Sequence, residues 1–504
     1  MAQNNVSTLL EAINWCFSSG NPPLAALGIL CIATCLQQLD SQSHKDIISQ
    51  LHRPPGELFQ AYLNRVTLYI INDNFYSSSY AGIEVILMTG KIYMNLGLLK
   101  MNWVLTHRAI IHAQLLHFHR PHQTSPDEIA SHMSMRHESW FFICERDLYA
   151  SLLLGLPYAA NWKTISPTAR GLPGTLGYFQ YEMMRLSSRI IDRNQMGLET
   201  SILDTQDITH DMVSVANTLP SELWDPPNAL LVGRVDRAGY MELLAVEFWY
   251  FQAKVLLHQP LMIQSLEDHK LLEHRESCLS ACRDTLRIYY LMRSDSMSVF
   301  NMVKLVDYQA FICSAILLLG LLGYGSVQPL LFPPTIKQAP DWETVQSTLD
   351  ILRKASRITN NSIALQAVQG LETLSLLVEN GRAGACPTQT GLTTAHSVRI
   401  TVPGSGVITL SPGALMTKPI STSSEPTNVH PASIFHLSSY TSPNPMIPIA
   451  PTPSSQQVSE VNSLLSADLG GDISMMDLDW SNLISNNLDD DWAWLADANA
   501  ANLL

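Results

Sequence analysis

The 504-residue chain reads as all-α: a multi-helix regulatory-type body followed by a disordered Ser/Thr/Pro-rich linker and an acidic tail. Three observations predict that class. Apolar residues recur at helical steps from Leu9 to about Glu379, strand-like alternation is scarce, and the composition changes abruptly after Gly381. With 46% apolar and 15% charged residues there is ample material for a sizeable core, which excludes collagen-like, wholly disordered and disulfide-stapled classes.

Along the chain, Leu24 to Leu36 is the first long apolar run, 13 residues, as is Ala310 to Leu322. A bilayer span needs about 20, so both are expected to be core helices of a soluble protein. Leu96 to His119 reads as one long helix, and Ser139 to Leu154 as another, stopped by Gly155 and Pro157. In Met241, Leu244, Phe248, Phe251 and Val255 the steps of three and four place the apolar groups on one stripe. Breaks rich in Pro, Gly and polar turn formers fall at His52 to Gly56, Pro121 to Pro126, Thr164 to Gly174 and Pro333 to Asp341. Ser397 to Leu410, interrupted by Pro-Gly-Ser-Gly, is the best strand candidate, a weak hairpin outside the main core. No period of 20 to 50 residues repeats, which argues against a solenoid.

Domains are therefore expected at 1–380 (helical body), 381–466 (flexible linker) and 467–504 (acidic segment). Residues 383–466 hold 11 of the 28 prolines among many Ser and Thr, too little apolar surface to offset the entropy of ordering. Of the formal charge of −14, −10 arises after Lys418, where no Lys or Arg remains, leaving −4 on the rest. Acidity is a property of the tail. It argues against a chain whose affinity rests on neutralising phosphates, so DNA contact is expected only indirectly.

Within the tail, Met476, Trp480, Leu483, Leu488, Trp492 and Leu495 are spaced by four, three, five, four and three, with Ile484 bridging the longer step. Wound as a helix they form one apolar strip between Asp and Asn faces. Asp and Asn are poor helix formers and adjacent aspartates repel, so the segment is expected to fold only in a partner's groove. Such acidic-hydrophobic alternation is the composition of activation segments, and the expected partner is a coactivator or the general transcription machinery. Three tryptophans, Trp480, Trp492 and Trp494, serve little purpose in a merely solubilising tail.

Catalytic and metal chemistry finds little footing. Seven histidines (His107, His112, His117, His119, His122, His132 and His137) lie between 107 and 137, but His107, His112 and His117 recur every five residues, which rotates each away from the last on a helix. They are read as surface and satisfied core histidines. Cys31/Cys35 and Cys278/Cys282 lack zinc-knuckle spacing and are read as small core residues; all eight cysteines are expected to be reduced thiols of an intracellular protein without a leader at Met1. Asp489-Asp490-Asp491 lacks the next carboxylate of a magnesium-binding cyclase run, and no nucleophile elbow, phosphate loop or His-Glu-x-x-His occurs. No cofactor and no enzyme activity are expected; the competing reading is a helical ligand-sensing protein or an enzyme using the His-rich 107–137 region.

The helical part also carries ordered motifs. Ile92-Tyr93-Met94-Asn95-Leu96-Gly97-Leu98-Leu99-Lys100-Met101-Asn102-Trp103, Arg108-Ala109-Ile110, Ala113-Gln114-Leu115-Leu116 and His119-Arg120 are followed by Arg136, Trp140, Glu145-Arg146, Ser151 to Pro157, Leu257-His258-Gln259-Pro260 and Ser277-Cys278-Leu279 with Cys282-Arg283. Over roughly residues 5 to 330 this pattern resembles the fungal-specific transcription factor domain, the middle homology region of zinc binuclear cluster regulators. Glu145 and Leu156 depart from its commonest residues. The resemblance implies a nuclear regulator of a metabolic or biosynthetic gene set, not an enzyme, and a helical scaffold in which Trp103 and Trp140 fill core and Arg108 and Arg146 make ion pairs between helices. Family members usually begin with a six-cysteine zinc cluster. Nothing of that kind precedes the helices here, so DNA contact is expected from a partner, from a homodimer's assembly, or from a cluster encoded upstream of Met1.

Overall fold

The computed structural model describes residues 2–39, 44–120, 130–166, 170–196, 198–264, 271–294, 300–321, 339–358, 361–383, 398–402, 406–411 and 414–417. The first group of helices is α1 (Ala2–Ser18), α2 (Pro22–Gln37), α3 (Lys45–Ile48), α4 (Pro55–Val66), α5 (Asn74–Ser77), α6 (Tyr80–Leu96) and α7 (Leu99–Leu115), with a π-helical turn at Thr67–Ile71. Next come α8 (Ala130–Leu154), α9 (Leu176–Gln195), α10 (Leu198–Thr218), α11 (Pro226–Leu231), α12 (Arg237–Gln264) and α13 (Leu272–Met292). The series closes with α14 (Leu305–Leu321), α15 (Pro340–Ile358) and α16 (Ser362–Ala383). The all-α expectation holds, with one addition. Strands β1 (Val398–Val402), β2 (Gly406–Ser411) and β3 (Ala414–Thr417) form an antiparallel sheet in that order, Val402 opposite Gly406 across the first turn.

The hairpin expected at Ser397 to Leu410 is thus present, and β3 extends it inside the stretch expected to be linker. Residues 418–504 lie outside the described residues, and with them the acidic segment.

Local chemistry explains most boundaries. Pro22 opens α2 where its missing amide costs nothing, and the Asn21 side chain accepts from the Leu24 amide. Ser79 caps α6 by accepting from Gly82, and Thr175 caps α9 by accepting from Tyr178. The helix expected over Leu96 to His119 is corrected: Leu96 closes α6, Gly97 turns left-handed at φ +83°, and α7 starts anew at Leu99. The amides of Gly97 and Leu98 return to the carbonyls of Met94 and Tyr93, which satisfies the helix end and reverses the chain. Gly155, at φ +66°, ends α8 in the same way, as its sequence position implied.

The packing follows the apolar patterns. α12 lies along α13, α13 on α14, and α14 between α15 and α16; α6 packs on α7 and α2, and α7, α8 and α9 follow one another. Every residue from Gln309 to Leu319 of α14 is buried, as a 13-residue apolar run requires of a helix surrounded on all sides. α2, from the other run, buries Ala26, Leu30, Ala33 and Leu36 on one face. Among the described residues no helix is long and apolar enough to cross a membrane.

Candidate functional site

The partner-binding residues expected from the sequence, Met476, Trp480, Leu483, Ile484, Leu488, Trp492 and Leu495, lie outside the described residues. The helical body offers four polar centres.

Asp147 of α8 is the first. It is fully buried; its Oδ2 accepts from the amides of Ala159 and Ala160, both at 2.7 Å, and its Oδ1 lies 3.0 Å from His107 Nε2. Trp103, its ring tilted against that of His107 with centroids 3.8 Å apart, donates to Ser151 Oγ at 3.0 Å. Motif residues of α7 and α8 and the turn after α8 are thus bolted together around a carboxylate that sequence reading passed over in favour of its neighbours. Arg108 donates to Asn74 Oδ1 at 3.3 Å and Arg146 to the Leu87 carbonyl. Neither makes an ion pair among the described residues, which corrects the expected bridges: Arg108 meets an amide oxygen and Arg146 a backbone carbonyl, with Glu145 acting on Arg146 only at longer range.

The second centre is a repair. Pro260 sits inside α12 and has no amide, so the Leu256 carbonyl loses its helical donor. Arg193 of α9, buried, supplies the missing protons, with Nη2 at 3.4 Å from Leu256 O and 2.8 Å from Leu257 O, while Nη1 donates to Thr205 Oγ1. Alongside, His258 and His274 face each other through their Nδ1 atoms at 3.1 Å. The third centre is Asp307 of α14, which accepts from Tyr289 Oη at 2.8 Å, Arg293 Nε at 2.9 Å and Asn361 Nδ2 at 2.6 Å.

The histidines of 107–137 do not converge. His107 takes Asp147, His112 takes Ser77 and Ser78, and the His119 ring approaches Trp140. His122 and the side chain of His132 lie outside the described residues, among which no three metal-ligating side chains cluster. Cys278 and Cys282 are buried as expected. Cys35 is exposed and Cys31 half-buried, a correction that follows from α2 burying one face only.

The fourth centre lies along α6, where Arg146 of α8 and the residue before α14 reach its carbonyls. Arg146 of α8 donates to the Leu87 carbonyl of α6, one turn before Lys91, and the Lys304 amide donates to the Asn95 carbonyl, one turn after Lys91. Lys91 is exposed, and Glu145, Arg146, Tyr149 and Lys304 are half-buried. Solvent reaches these groups, yet the surrounding protein disfavours each charge. Burial holds Lys91, Arg146 and Lys304 below their ordinary values and pushes Glu145 up to about 7 and Tyr149 up to about 12. Ionisable groups whose charge the protein disfavours while solvent still reaches them are candidates for binding, and this centre is the candidate functional site of the described body.

Among known proteins this chain is similar to a dehydrocurvularin biosynthesis regulator of Alternaria cinerariae, 23% identical over 364 residues, 70% of this chain and 47% of that protein. It is similar also to the transcription factor eupR of Phoma sp, 26% identical over 253 residues, 49% of this chain and 54% of that protein. A third is the probable transcription factor gsfR1 of Penicillium aethiopicum, 23% identical over 424 residues, 82% of this chain and 60% of that protein. The chain spans about half the length of the first relatives it matches. No family model and no solved structure matches. These relatives are named as fungal transcription factors and biosynthesis regulators, not as enzymes.

Proposed function

We propose that the chain is a nuclear regulator of transcription, of a kind that controls a fungal biosynthetic gene set. The observation that carries this reading is the similarity to named regulators, with which the sequence motifs agree. The helical motifs resemble the regulatory domain of zinc cluster regulators, and the similar proteins are named as regulators throughout. Physically, the body acts as a scaffold and 467–504 as an activation segment. Its Asp residues keep Trp480, Trp492 and the Leu residues solvated, and a coactivator groove gains by burying them. DNA contact comes from a partner, a homodimer's assembly, or a zinc cluster encoded ahead of Met1; reading the genomic frame upstream for Cys-x2-Cys-x6-Cys separates the last from the others.

Residues 467–504 fused to an unrelated DNA-binding domain are expected to drive a reporter. Changing Trp480, Trp492 and Trp494 to Ala is expected to remove most of that output, and equal output from both fusions rejects the activation segment.

A further inference from the structure

Helix α7 buries one face and leaves the opposite one apolar. Leu105, Ala109, Ile110 and Ala113 pack into the body, while Val104, Ile111 and Leu115 are 53%, 59% and 65% exposed. Val104, Arg108, Ile111 and Leu115 follow one another at steps of four, three and four, so on the helix the four side chains form one continuous outward stripe. Phe75 of α5, 82% exposed, widens it. Arg108 Nη2 donates at 3.3 Å to the side chain of Asn74, the residue before Phe75, which holds α5 beside the middle of the stripe. Single exposed apolar residues are ordinary, but four joined on one surface mark a place of contact with another molecule.

Charge around the stripe indicates what that molecule brings. Between Glu84 and Asp127 the sequence has no acidic residue, and it carries Lys91, Lys100, Arg108 and Arg120. Lys100, exposed, opens the same stripe one turn before Val104, and Arg120, exposed, follows the end of α7. Asp73, the carboxylate nearest to Phe75 in sequence, is turned back to cap α5 and accepts from the Phe75 amide at 2.8 Å. A second copy laid antiparallel on the stripe would set Arg108 against Arg108, and facing like charges oppose association. A nucleic-acid backbone would meet aliphatic groups where its phosphates need cations. A helix with an apolar strip and acidic margins fits both features.

We propose that the outward stripe of α7, formed by Val104, Arg108, Ile111 and Leu115 with Phe75 beside it, is a docking surface for an acidic amphipathic helix supplied by another protein. From Lys100 to Leu115 the stripe is about 22 Å long, the length of about four helical turns. The apolar strip of the incoming helix covers Val104, Ile111, Leu115 and Phe75, and its Asp or Glu residues face Lys100 and Arg108. Burial of the aliphatic groups supplies affinity, while the charges set the partner's sign and orientation. The surface goes beyond the activation-segment reading, and its test stands apart from the reporter experiment.

The full-length chain is titrated, by fluorescence anisotropy, against a labelled designed peptide with Leu at steps of three and four and Asp and Glu along the margins of that strip. One comparison peptide replaces every Asp and Glu by Lys, and another shuffles the sequence at constant composition. The acidic amphipathic peptide is expected to bind at least about tenfold more tightly than either, and less tightly as salt rises. Ile111→Glu is expected to weaken it about tenfold or more, whereas Leu376→Glu, at a site 58% exposed on α16, is expected to leave it unchanged. Arg108→Gln is expected to weaken binding and flatten its salt dependence, and it decides the matter should Ile111→Glu fail to fold. Absence of binding, equal affinity for the Lys or shuffled peptide, an equal loss in Leu376→Glu, wild-type affinity in Arg108→Gln, or a dimer of the chain that Ile111→Glu dissociates each overturns the proposal.

Discussion

Glu247 of α12 shows what burial does to a single carboxyl. It is 1% exposed, Arg287 lies 3.5 Å from Oε2, and Oε1 has no partner. Burial outweighs the Arg287 attraction and pushes the group up from 4.5 to about 8. A raised carboxyl favours the protonated fold. Its contribution is therefore intact below the unfolded value near 4.5 and is lost as pH climbs through about 8. Glu247→Gln is expected to stabilise the chain by up to roughly 4 kcal/mol at about pH 9 and by little at about pH 4.5, read from urea melts. Equal gains at both pH values would contradict this account. His258 has the opposite sign. Burial, with His274, Lys254 and Arg193 around it, lowers it from 6.5 to about 3, so stability is full above 6.5 and declines as pH falls toward 3. His258→Gln is expected to flatten that decline, measured as the slope of the unfolding midpoint with pH.

At the scale of elements, α12 is continuous through Pro260 because another helix supplies what proline lacks. Arg193→Met is expected to cost about 2–3 kcal/mol, since it strands the Leu256 carbonyl and removes the charged hydrogen bond to Leu257. In a Pro260→Ala background, where the Ala amide restores a donor to Leu256, the same change is expected to cost distinctly less. Additive losses in this double-mutant cycle would show that Arg193 does not repair the kink. The α6–α7 turn depends on Gly97 for a second reason besides its positive φ. A Cβ there would lie 2.3 Å from Ile363 Cδ1 of α16, so the turn is where a distant helix touches the motif region. Gly97→Ala is expected to destabilise by more than about 2 kcal/mol, part from the left-handed backbone and part from displacing Ile363. A smaller loss in thermal melts would mean that α16 yields easily.

For the whole molecule, Asp307 joins three helices, drawing Tyr289 and Arg293 of the α13 region and Asn361 at the start of α16 to one carboxylate on α14. Removing it leaves Arg293 buried without its partner. Asp307→Ala is expected to cost about 3–5 kcal/mol in chemical denaturation, and a loss under about 1 kcal/mol would show the cluster to be dispensable. What the sequence by itself determined about this protein is its helical character, the two core helices α2 and α14, the stop of α8 at Gly155 and the hairpin near residue 400. Each is written in local signals, periodicity and turn chemistry within a few residues. Only the tertiary structure decided that Asp147 anchors α8 to α7 and to the turn after it, that Arg193 serves Pro260, and that Asp307 gathers Tyr289, Arg293 and Asn361. Periodicity says which face of a helix is buried, but which residues meet across that face is set by packing between segments up to about two hundred residues apart, as with Asn95 and Lys304.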